Sequence, residues 1–226
     1  MELCNISVKF GEKTVFDNFS VSFHSGKVTS LMGPSGCGKT TLLNVISDSV
    51  KYDGEVTKES QNVAYIYQNT LLLSHLNVYQ NIEFVLKNQI KDKAQRKAII
   101  DNILKKVELI DDAKSYPKQL SGGMAQRVEL ARAFAYPSDI LLMDEPFGGL
   151  DVSLKKRIME VFLNLLKDTE KTVIMVTHDP DEAILLADNI VILGKNEVKY
   201  SRELNRDGAR NISDFPDIRA EIYSLL

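Results

Sequence analysis

A glycine-rich segment near the start of the chain has the residue types and the spacing of a phosphate-binding loop. It reads Gly33-Pro-Ser-Gly-Cys-Gly-Lys39-Thr40, fits the pattern G-x-x-x-x-G-K-[ST], and lies between an apolar run and a helical pattern. Its glycines let backbone N–H groups converge on an anion, Lys39 neutralises phosphate charge, and the Thr40 hydroxyl is placed to bind Mg²⁺. The residues expected to contact the phosphates are Gly33, Pro34, Ser35, Gly36, Cys37, Gly38, Lys39, Thr40 and Thr41.

Two adjacent acids follow an apolar run in the second half of the chain. Residues 140–143 are Ile-Leu-Leu-Met, and Asp144 and Glu145 come directly after them. A buried strand would deliver both acids to the carboxyl edge of a sheet, where ligands bind in open α/β folds. Asp144 would hold Mg²⁺, directly or through water, and Glu145 would polarise the attacking water or accept its proton. The alternative is a solvated Asp-Glu-Pro turn, which the upstream phosphate-binding loop disfavours.

The elements around these residues alternate between strands and helices. Strands are predicted at 3–9, 19–23, 27–32, 63–67, 140–143, 172–177 and 189–193, and helices at 39–46, within 76–106, at 152–167 and at 181–187. This alternation predicts an α/β core with a largely parallel sheet. Helical periodicity between residues 76 and 106 predicts a helical insertion. We therefore expect one domain with a helical subdomain over about 76–137.

Composition excludes several classes of protein. The longest apolar runs fall far short of the roughly 18 to 20 residues that a spanning helix needs, and no secretory signal is visible. The two cysteines, Cys4 and Cys37, have no metal spacing and suit a reducing compartment. A formal net charge of -3 disfavours a general nucleic-acid binder. These features predict a cytoplasmic protein without nucleic acid as a partner.

A third motif lies between the phosphate-binding loop and the acids. The stretch Leu120-Ser-Gly-Gly-Met124-Ala-Gln-Arg127 resembles the signature of the ABC transporter ATPase family, with methionine where glutamine is common. Small residues that open a helix expose a hydroxyl and backbone N–H groups to an anion. The resemblance covers nearly the whole chain. It implies the ABC ATPase fold, which is α/β: a P-loop NTPase core of mainly parallel sheet (1–75 and 138–226), with an antiparallel N-terminal β subdomain and an α-helical signature subdomain (76–137).

The resemblance also implies roles for isolated residues that carry little signal by themselves. Gln68 resembles the glutamine that touches Mg²⁺ or the attacking water, and His178 resembles the switch histidine that hydrogen-bonds the γ-phosphate. Asp151 resembles the interface aspartate, with Gly149 where alanine is usual. Phe10 occupies the place of the aromatic residue that stacks on adenine, although an ordinary edge-strand aromatic is the alternative.

In such a protein the signature of one copy completes the site of another. Ser121, Gly122 and Gly123 would contact the γ-phosphate held by a second copy, so that catalysis needs a two-fold dimer around two molecules of ATP with Mg²⁺. Closure of the dimer would be transmitted to transmembrane permease subunits through residues 68–75 and the helical subdomain. The run Leu71-Leu-Leu73 is either an apolar docking patch or part of the core.

Local features resemble one group of importers. They are the signature with Met124, the segment 144–151 with Phe147, and the segment Thr177-His-Asp-Pro-Asp-Glu-Ala183. All three are similar to ATPases of the nitrate, sulfonate and taurine importers, which serve an external solute-binding protein. This predicts import of a small anion or organic solute by a complex at the inner face of the membrane. The alternatives are an export-type ABC ATPase and a soluble ABC protein, and a simple phosphate-loop kinase is the weakest.

Overall fold

A six-stranded sheet runs through the centre of the protein. The structure is a computed structural model that describes residues 1–58, 60–204, 212 and 215–226. The strands of this sheet are β3 (Val28–Met32), β5 (Val63–Ile66), β6 (Ile140–Asp144), β7 (Thr172–Val176), β8 (Asn189–Leu193) and β9 (Val198–Glu203). Their order is β5-β6-β7-β3-β8-β9, with β9 antiparallel to β8 and the other neighbours parallel. The predicted, largely parallel sheet is confirmed.

A second, antiparallel sheet is formed mainly by the N-terminal residues. It contains β1 (Glu2–Phe10), β2 (Lys13–Ser22) and β4 (Asp53–Thr57) in the order β2-β1-β4. The sequence predicted only the second half of β2, because Val15 and Phe16 in its first half are adjacent, whereas Phe19 and Val21 alternate with polar residues. Strand β4, which is mostly exposed, was not predicted at all. The antiparallel subdomain implied by the family resemblance is present.

Both faces of the central sheet are buried, as is usual for parallel sheets. Successive residues of β6 point to opposite sides, so Ile140 and Leu142 enter one hydrophobic core while Leu141 and Met143 enter the other. The first core is shared with the antiparallel sheet and with helix α1 (Lys39–Ile46). This double burial fixes the end of β6, and with it the position of Asp144.

Helices cover the opposite face. They are α2 (Val78–Leu86), α3 (Lys93–Lys106), α4 (Gly122–Ala135), α5 (Val152–Leu166), α6 (Pro180–Leu186) and α7 (Pro216–Leu225), with a short 3-10 turn at Pro117–Gln119. Most begin at a side-chain cap, for example Asn77 before α2 and Asp92 before α3. Helix α4 packs against both α2 and α3, and also against α5 and β5. None of the helices in the described ranges is long and apolar enough to span a membrane.

The leucine run has a mixed environment, so neither of its two interpretations holds for all three residues. The Leu71 side chain is 51% exposed, whereas Leu72 is half-buried and packs against the core. Leu73 is also partly buried, so Leu71 presents the most exposed apolar surface of the three.

Candidate functional site

The predicted residues lie where four neighbouring parallel strands end. Strand β3 runs into the glycine loop, β5 leads to Gln68, β6 ends at Asp144, and β7 leads to His178. These strands are neighbours in the order β5-β6-β7-β3, so their carboxyl ends meet at one edge of the sheet. Ligands of open α/β sheets bind in the crevice at that edge.

The glycine loop needs glycine for reasons that the structure makes explicit. Gly33 has φ +139°, and a Cβ there would lie 2.5 Å from the carbonyl oxygen of Leu193. Gly38 caps α1 in a left-handed conformation, and a Cβ there would lie 2.5 Å from the Phe16 ring. The loop can therefore approach both the sheet and the antiparallel subdomain closely. The first residues of α1, Lys39 to Thr41, line the crevice, and a helix N-terminus there favours an anion.

The ammonium group of Lys39 lies over this loop. Its Nζ donates hydrogen bonds to the carbonyl oxygens of Gly33 (2.7 Å) and Pro34 (3.1 Å). A lysine ammonium has three donors, so these bonds use two of them. Lys39 is thus held where a phosphate group in the crevice would meet a positive charge.

Thr40 and Asp144 form an oxygen pair suited to Mg²⁺. The Thr40 hydroxyl donates a 2.8 Å hydrogen bond to Oδ2 of Asp144. Burial raises the pKa of the Asp144 carboxyl, and the hydrogen bond from Thr40 partly opposes that rise. Within the described residues no cluster of three His, Cys, Asp or Glu side chains could hold a metal by itself. A Mg²⁺ ion commonly uses one or two protein oxygens together with phosphates and water, and this pair fits that chemistry.

The Glu145 carboxylate lies close to two other predicted residues, Gln68 and His178. Its Oε2 atom lies 3.4 Å from Nε2 of Gln68 and 3.5 Å from Nδ1 of His178. Its backbone has φ +48°, in the left-handed region that residues other than glycine seldom adopt. The Glu145 N–H donates to the carbonyl oxygen of Val176, and the N–H of Gly148 donates to the carbonyl of Glu145, so the turn is fixed on both sides. Strained backbone of this kind is concentrated at functional sites.

A cavity of about 330 Å³ lies between the glycine loop and the two acids, and among the residues that the structure describes Gly33, Pro34, Cys37 and His178 do not line it. Of the predicted residues it is lined by Phe10, Ser35, Gly36, Gly38, Lys39, Thr40, Thr41, Gln68, Asp144 and Glu145. Lys13, Val15 and Val176 also line it, although no motif in the sequence indicated them. The Phe10 side chain is 51% exposed, and Phe10 and Lys13 pair across the β1–β2 turn. Lys13 and Val15 belong to the half of β2 that the sequence analysis did not predict, which explains why they were missed.

The signature and Asp151 are on a different part of the surface. Among the residues that the structure describes, Ser121, Gly122, Gly123 and Asp151 are not part of the cavity lining. The Ser121 hydroxyl caps α4 through the N–H of Met124, and the Asp151 carboxylate caps α5 through the N–H of Leu154. A Cβ on Gly123 would lie 2.4 Å from Cδ1 of Leu154, so the starts of α4 and α5 are in close contact. Ser121, Gly122 and Asp151 are all exposed.

Helix α4 carries three polar residues, Gln126, Glu129 and Arg132, whose roles could not be predicted from the sequence. Gln126 donates a 2.5 Å hydrogen bond to the carbonyl of Pro146, and its Oε1 lies 3.5 Å from the Thr70 hydroxyl. Glu129 accepts a hydrogen bond from the N–H of Leu71, and Arg132 donates to the carbonyl of Leu71 at 2.8 Å. The spacing of three between these residues, which places them on successive turns of a helix, is the signal that could have identified them. Together they tie α4 to the segment after Gln68 and to the residue after Glu145.

The fold and the crevice together define a phosphate-loop nucleotide-binding domain. The sequence profile of the ABC transporter family matches residues 16–148, a span that contains the glycine loop, the signature and both acids. The chain belongs to the ABC transporter family.

Solved structures agree with this assignment. A dimeric structure of the bacterial ABC transporter cassette MJ0796 matches with a TM-score of 0.78 and 31% identity, over 90% of this chain and 98% of that one. A dimeric post-hydrolysis state of the same cassette, bound to ADP and Pi, matches with a TM-score of 0.77 and 30% identity over the same shares. The predicted ABC ATPase fold is confirmed.

Curated relatives include ATP-binding proteins of two kinds of importer. The sulfate/thiosulfate import ATP-binding protein CysA of Neisseria meningitidis is 38% identical over 212 residues, which are 87% of this chain and 59% of that protein. The spermidine/putrescine import ATP-binding protein PotA of Pseudomonas aeruginosa is 36% identical over 230 residues, which are 97% of this chain and 62% of that protein. The chain thus spans about three fifths of the length of these relatives.

Proposed function

We propose that two copies of this chain bind two molecules of MgATP between them and hydrolyse ATP to drive solute transport. The observation that carries this proposal is the convergence of Lys39, the Thr40–Asp144 pair and Glu145 on one crevice. Ser121 and Gly122, which begin the signature, are exposed elsewhere on the same chain. A site that needs the signature is incomplete in a single copy. In a two-fold dimer, each copy supplies its signature to the site of the other copy, so both sites are completed.

Each residue around the crevice then has a chemical task. The loop and Lys39 bind the β- and γ-phosphates, and Thr40, Asp144 and Gln68 hold Mg²⁺ directly or through water. Glu145 orients the attacking water and accepts its proton, since it is half-buried beside the metal pair and fixed by its turn. His178, which already lies against Glu145, donates to the γ-phosphate. Phe10 offers its exposed ring to the adenine base.

The signature residues act on the other copy. Ser121, Gly122 and Gly123 contact the γ-phosphate bound by the second copy, and Asp151 lies at the interface between the copies. Residues 76–137 act as a helical signature subdomain that moves relative to the core formed by 1–75 and 138–226. Loss of the γ-phosphate after hydrolysis removes these contacts, so that the dimer opens.

The mechanical output goes to membrane partners. Leu71 is exposed between Gln68 and α2, and through it the segment 68–75 would meet transmembrane permease subunits at the cytoplasmic face of the membrane. Relatives named for an anion and for a polyamine are almost equally similar to this chain, so cargo does not follow from the likeness itself. From the local segments with Met124 and Phe147, we propose a small anion or organic solute of the kind carried by nitrate, sulfonate and taurine importers, delivered by an external solute-binding protein.

The test is the ATPase activity of purified protein across a concentration series with Mg²⁺. We expect specific activity to rise with concentration and to be lost in Glu145→Gln, which should still bind ATP and form a stable dimer on gel filtration. A rate that is independent of concentration and unaffected by this substitution would refute the composite site. Co-purification with permease subunits but without any solute-binding protein would favour an exporter instead.

A further inference from the structure

A partly buried ionic cluster next to His178 lies outside the cavity. Lys155 of α5 places its Nζ 2.9 Å from Oδ2 of Asp179 and 2.7 Å from Oε1 of Glu182. The other carboxylate oxygen of Glu182 accepts a 2.5 Å hydrogen bond from the Thr177 hydroxyl. The Glu182 side chain is only 5% exposed, and Lys155 and Asp179 are each about one quarter exposed.

These contacts hold the backbone on both sides of His178. Thr177 precedes it and is buried, and the N–H of Asp179 donates to the Thr177 hydroxyl at 3.0 Å. Asp179 follows it, and its second carboxylate oxygen caps α6 through the N–H of Asp181. Both neighbours of His178 are thus linked to Lys155, Asp179 directly and Thr177 through Glu182. The imidazole itself is exposed and is not part of the cluster.

Lys155 is also one helical turn from Asp151. Its N–H donates a 2.9 Å hydrogen bond to the Asp151 carbonyl, and the Asp151 carboxylate caps the same turn of α5. A displacement of Asp151 therefore moves the first turn of α5, and Lys155 carries that movement to the backbone around His178. The link is ionic, and its Glu182 end is shielded from water, so it is screened less than a fully exposed ion pair.

We propose that Lys155 is a positioning residue that sets the placement of His178 according to the position of Asp151. This inference rests on the proposed function, in which Asp151 lies at the interface and His178 meets the γ-phosphate. In the dimer, contact of Asp151 with the second copy shifts the first turn of α5, and Lys155 passes this shift to the backbone around His178. The position of the imidazole in each site therefore depends on whether the interface is closed. Lys155 touches neither nucleotide nor metal in this scheme.

The test compares Lys155→Met with Lys156→Met, which removes the neighbouring exposed lysine of the same helix. We expect Lys155→Met to lower kcat at least tenfold while the Kd for MgATP, measured in the Glu145→Gln background, changes less than threefold. Lys155→Arg should retain at least a third of the activity, and Lys156→Met should match the unmodified protein. An undiminished kcat in Lys155→Met would overturn the proposal.

Two further variants separate positioning from simple loss of stability. Removing Lys155 leaves two acids without their counter-charge, so Lys155→Met is combined with Glu182→Gln, which neutralises the more buried of the two. We expect the double variant to regain its melting temperature but not its kcat, because the link to α5 is still absent. Recovery of both would assign Lys155 a structural role only. In a His178→Ala background Lys155→Met should have no further effect on kcat, and an additional tenfold loss would contradict action through His178.

One measurement does not depend on ATP turnover. The chain has three histidines, and the NMR signals of the His178 ring can be assigned by comparison with His178→Ala. Without nucleotide, Lys155→Met should shift or broaden these signals, whereas Lys156→Met should leave them unchanged. Altered His178 signals in a protein that never hydrolyses ATP would sustain the link and refute the proposed function. Unaltered His178 signals in a protein that hydrolyses ATP normally would refute the link and leave the proposed function intact.

Discussion

The side-chain amide of Gln126 donates a hydrogen bond to the carbonyl of Pro146, the residue directly after Glu145. This bond joins the helix that begins at the signature to the turn that carries the proposed catalytic acid. Both groups are buried, and the Gln126 side chain is only slightly exposed. A movement of α4 therefore reaches the turn at Glu145 without passing through the nucleotide cavity.

Gln126→Met keeps the side chain's approximate volume but removes this donor. A buried carbonyl left without its partner costs about 1 to 3 kcal/mol, so we expect the free energy of unfolding to fall by that amount. Urea denaturation measures it. Gln89→Met, on the exposed surface after α2, is the matched control and should change stability by less than about 0.5 kcal/mol. Equal stabilities of the two variants would show that the Gln126 bond contributes nothing.

Lys39→Ala should fail at nucleotide binding. The Lys39 ammonium contacts only carbonyl oxygens of its own loop among the described residues, so its removal should leave the fold intact while it deletes the positive charge that faces the phosphates. We expect MgATP affinity to fall at least about tenfold, equivalent to about 1.4 kcal/mol. Isothermal titration measures the affinity, with the exposed Lys51→Ala as the control. Undiminished affinity in Lys39→Ala would contradict the assignment of the loop.

Gly123→Ala should separate the starts of α4 and α5. The added Cβ would lie 2.4 Å from Cδ1 of Leu154, so the leucine side chain or the helix must shift. Such overpacking costs typically about 1 to 3 kcal/mol. Gly122→Ala meets nothing within 4 Å and should be neutral or slightly stabilising in a thermal melt, because alanine favours helix. Leu154→Ala should restore part of the lost stability in the Gly123→Ala protein, and an additive loss would argue against the contact.

Lys171 predicts a pH dependence of stability. Burial lowers its pKa from 10.5 to about 8, with the Asp139 carboxylate only partly opposing the shift. Its Nζ donates to the carbonyls of Tyr136 and Ser138 and to the Ser138 hydroxyl, near the end of α4. Between about pH 8 and pH 10.5 the unfolded chain keeps a proton that the folded protein has lost. The contribution of Lys171 to the free energy of unfolding therefore becomes more favourable to the fold as pH rises through this window.

The measurement is the difference in unfolding free energy between the unmodified protein and Lys171→Met, taken at several pH values in urea. Groups that titrate alike in both proteins cancel in the difference. We expect it to shift in favour of the unmodified protein as pH rises, by a total of about 3 kcal/mol over the full window. A constant difference would mean that Lys171 keeps its ordinary pKa in the fold.

The site residues that could be predicted from the sequence are those that belong to local sequence patterns. The glycine loop, the run before Asp144 and the strand before His178 each combine an apolar strand with a distinctive end, and the structure brings all three to one edge. Strands β4 and β9 have mostly exposed residues and little apolar alternation, so periodicity could not reveal them. The contacts of Lys155 and Gln126 are a different case. The partners of their side chains lie 20 or more residues away in sequence, and only tertiary packing brings them together.

Strand β6 contributes alternate side chains to two separate hydrophobic cores, and this has a consequence for motion. Opening either core locally still leaves half of the strand packed, so its amides should be among the slowest in the protein to exchange with deuterium. The proposed metal ligand Asp144 is then held at the end of a strand that moves very little. Any rearrangement during a working cycle must hinge beyond that residue, in the turn from Glu145 onward and in the helices that contact it.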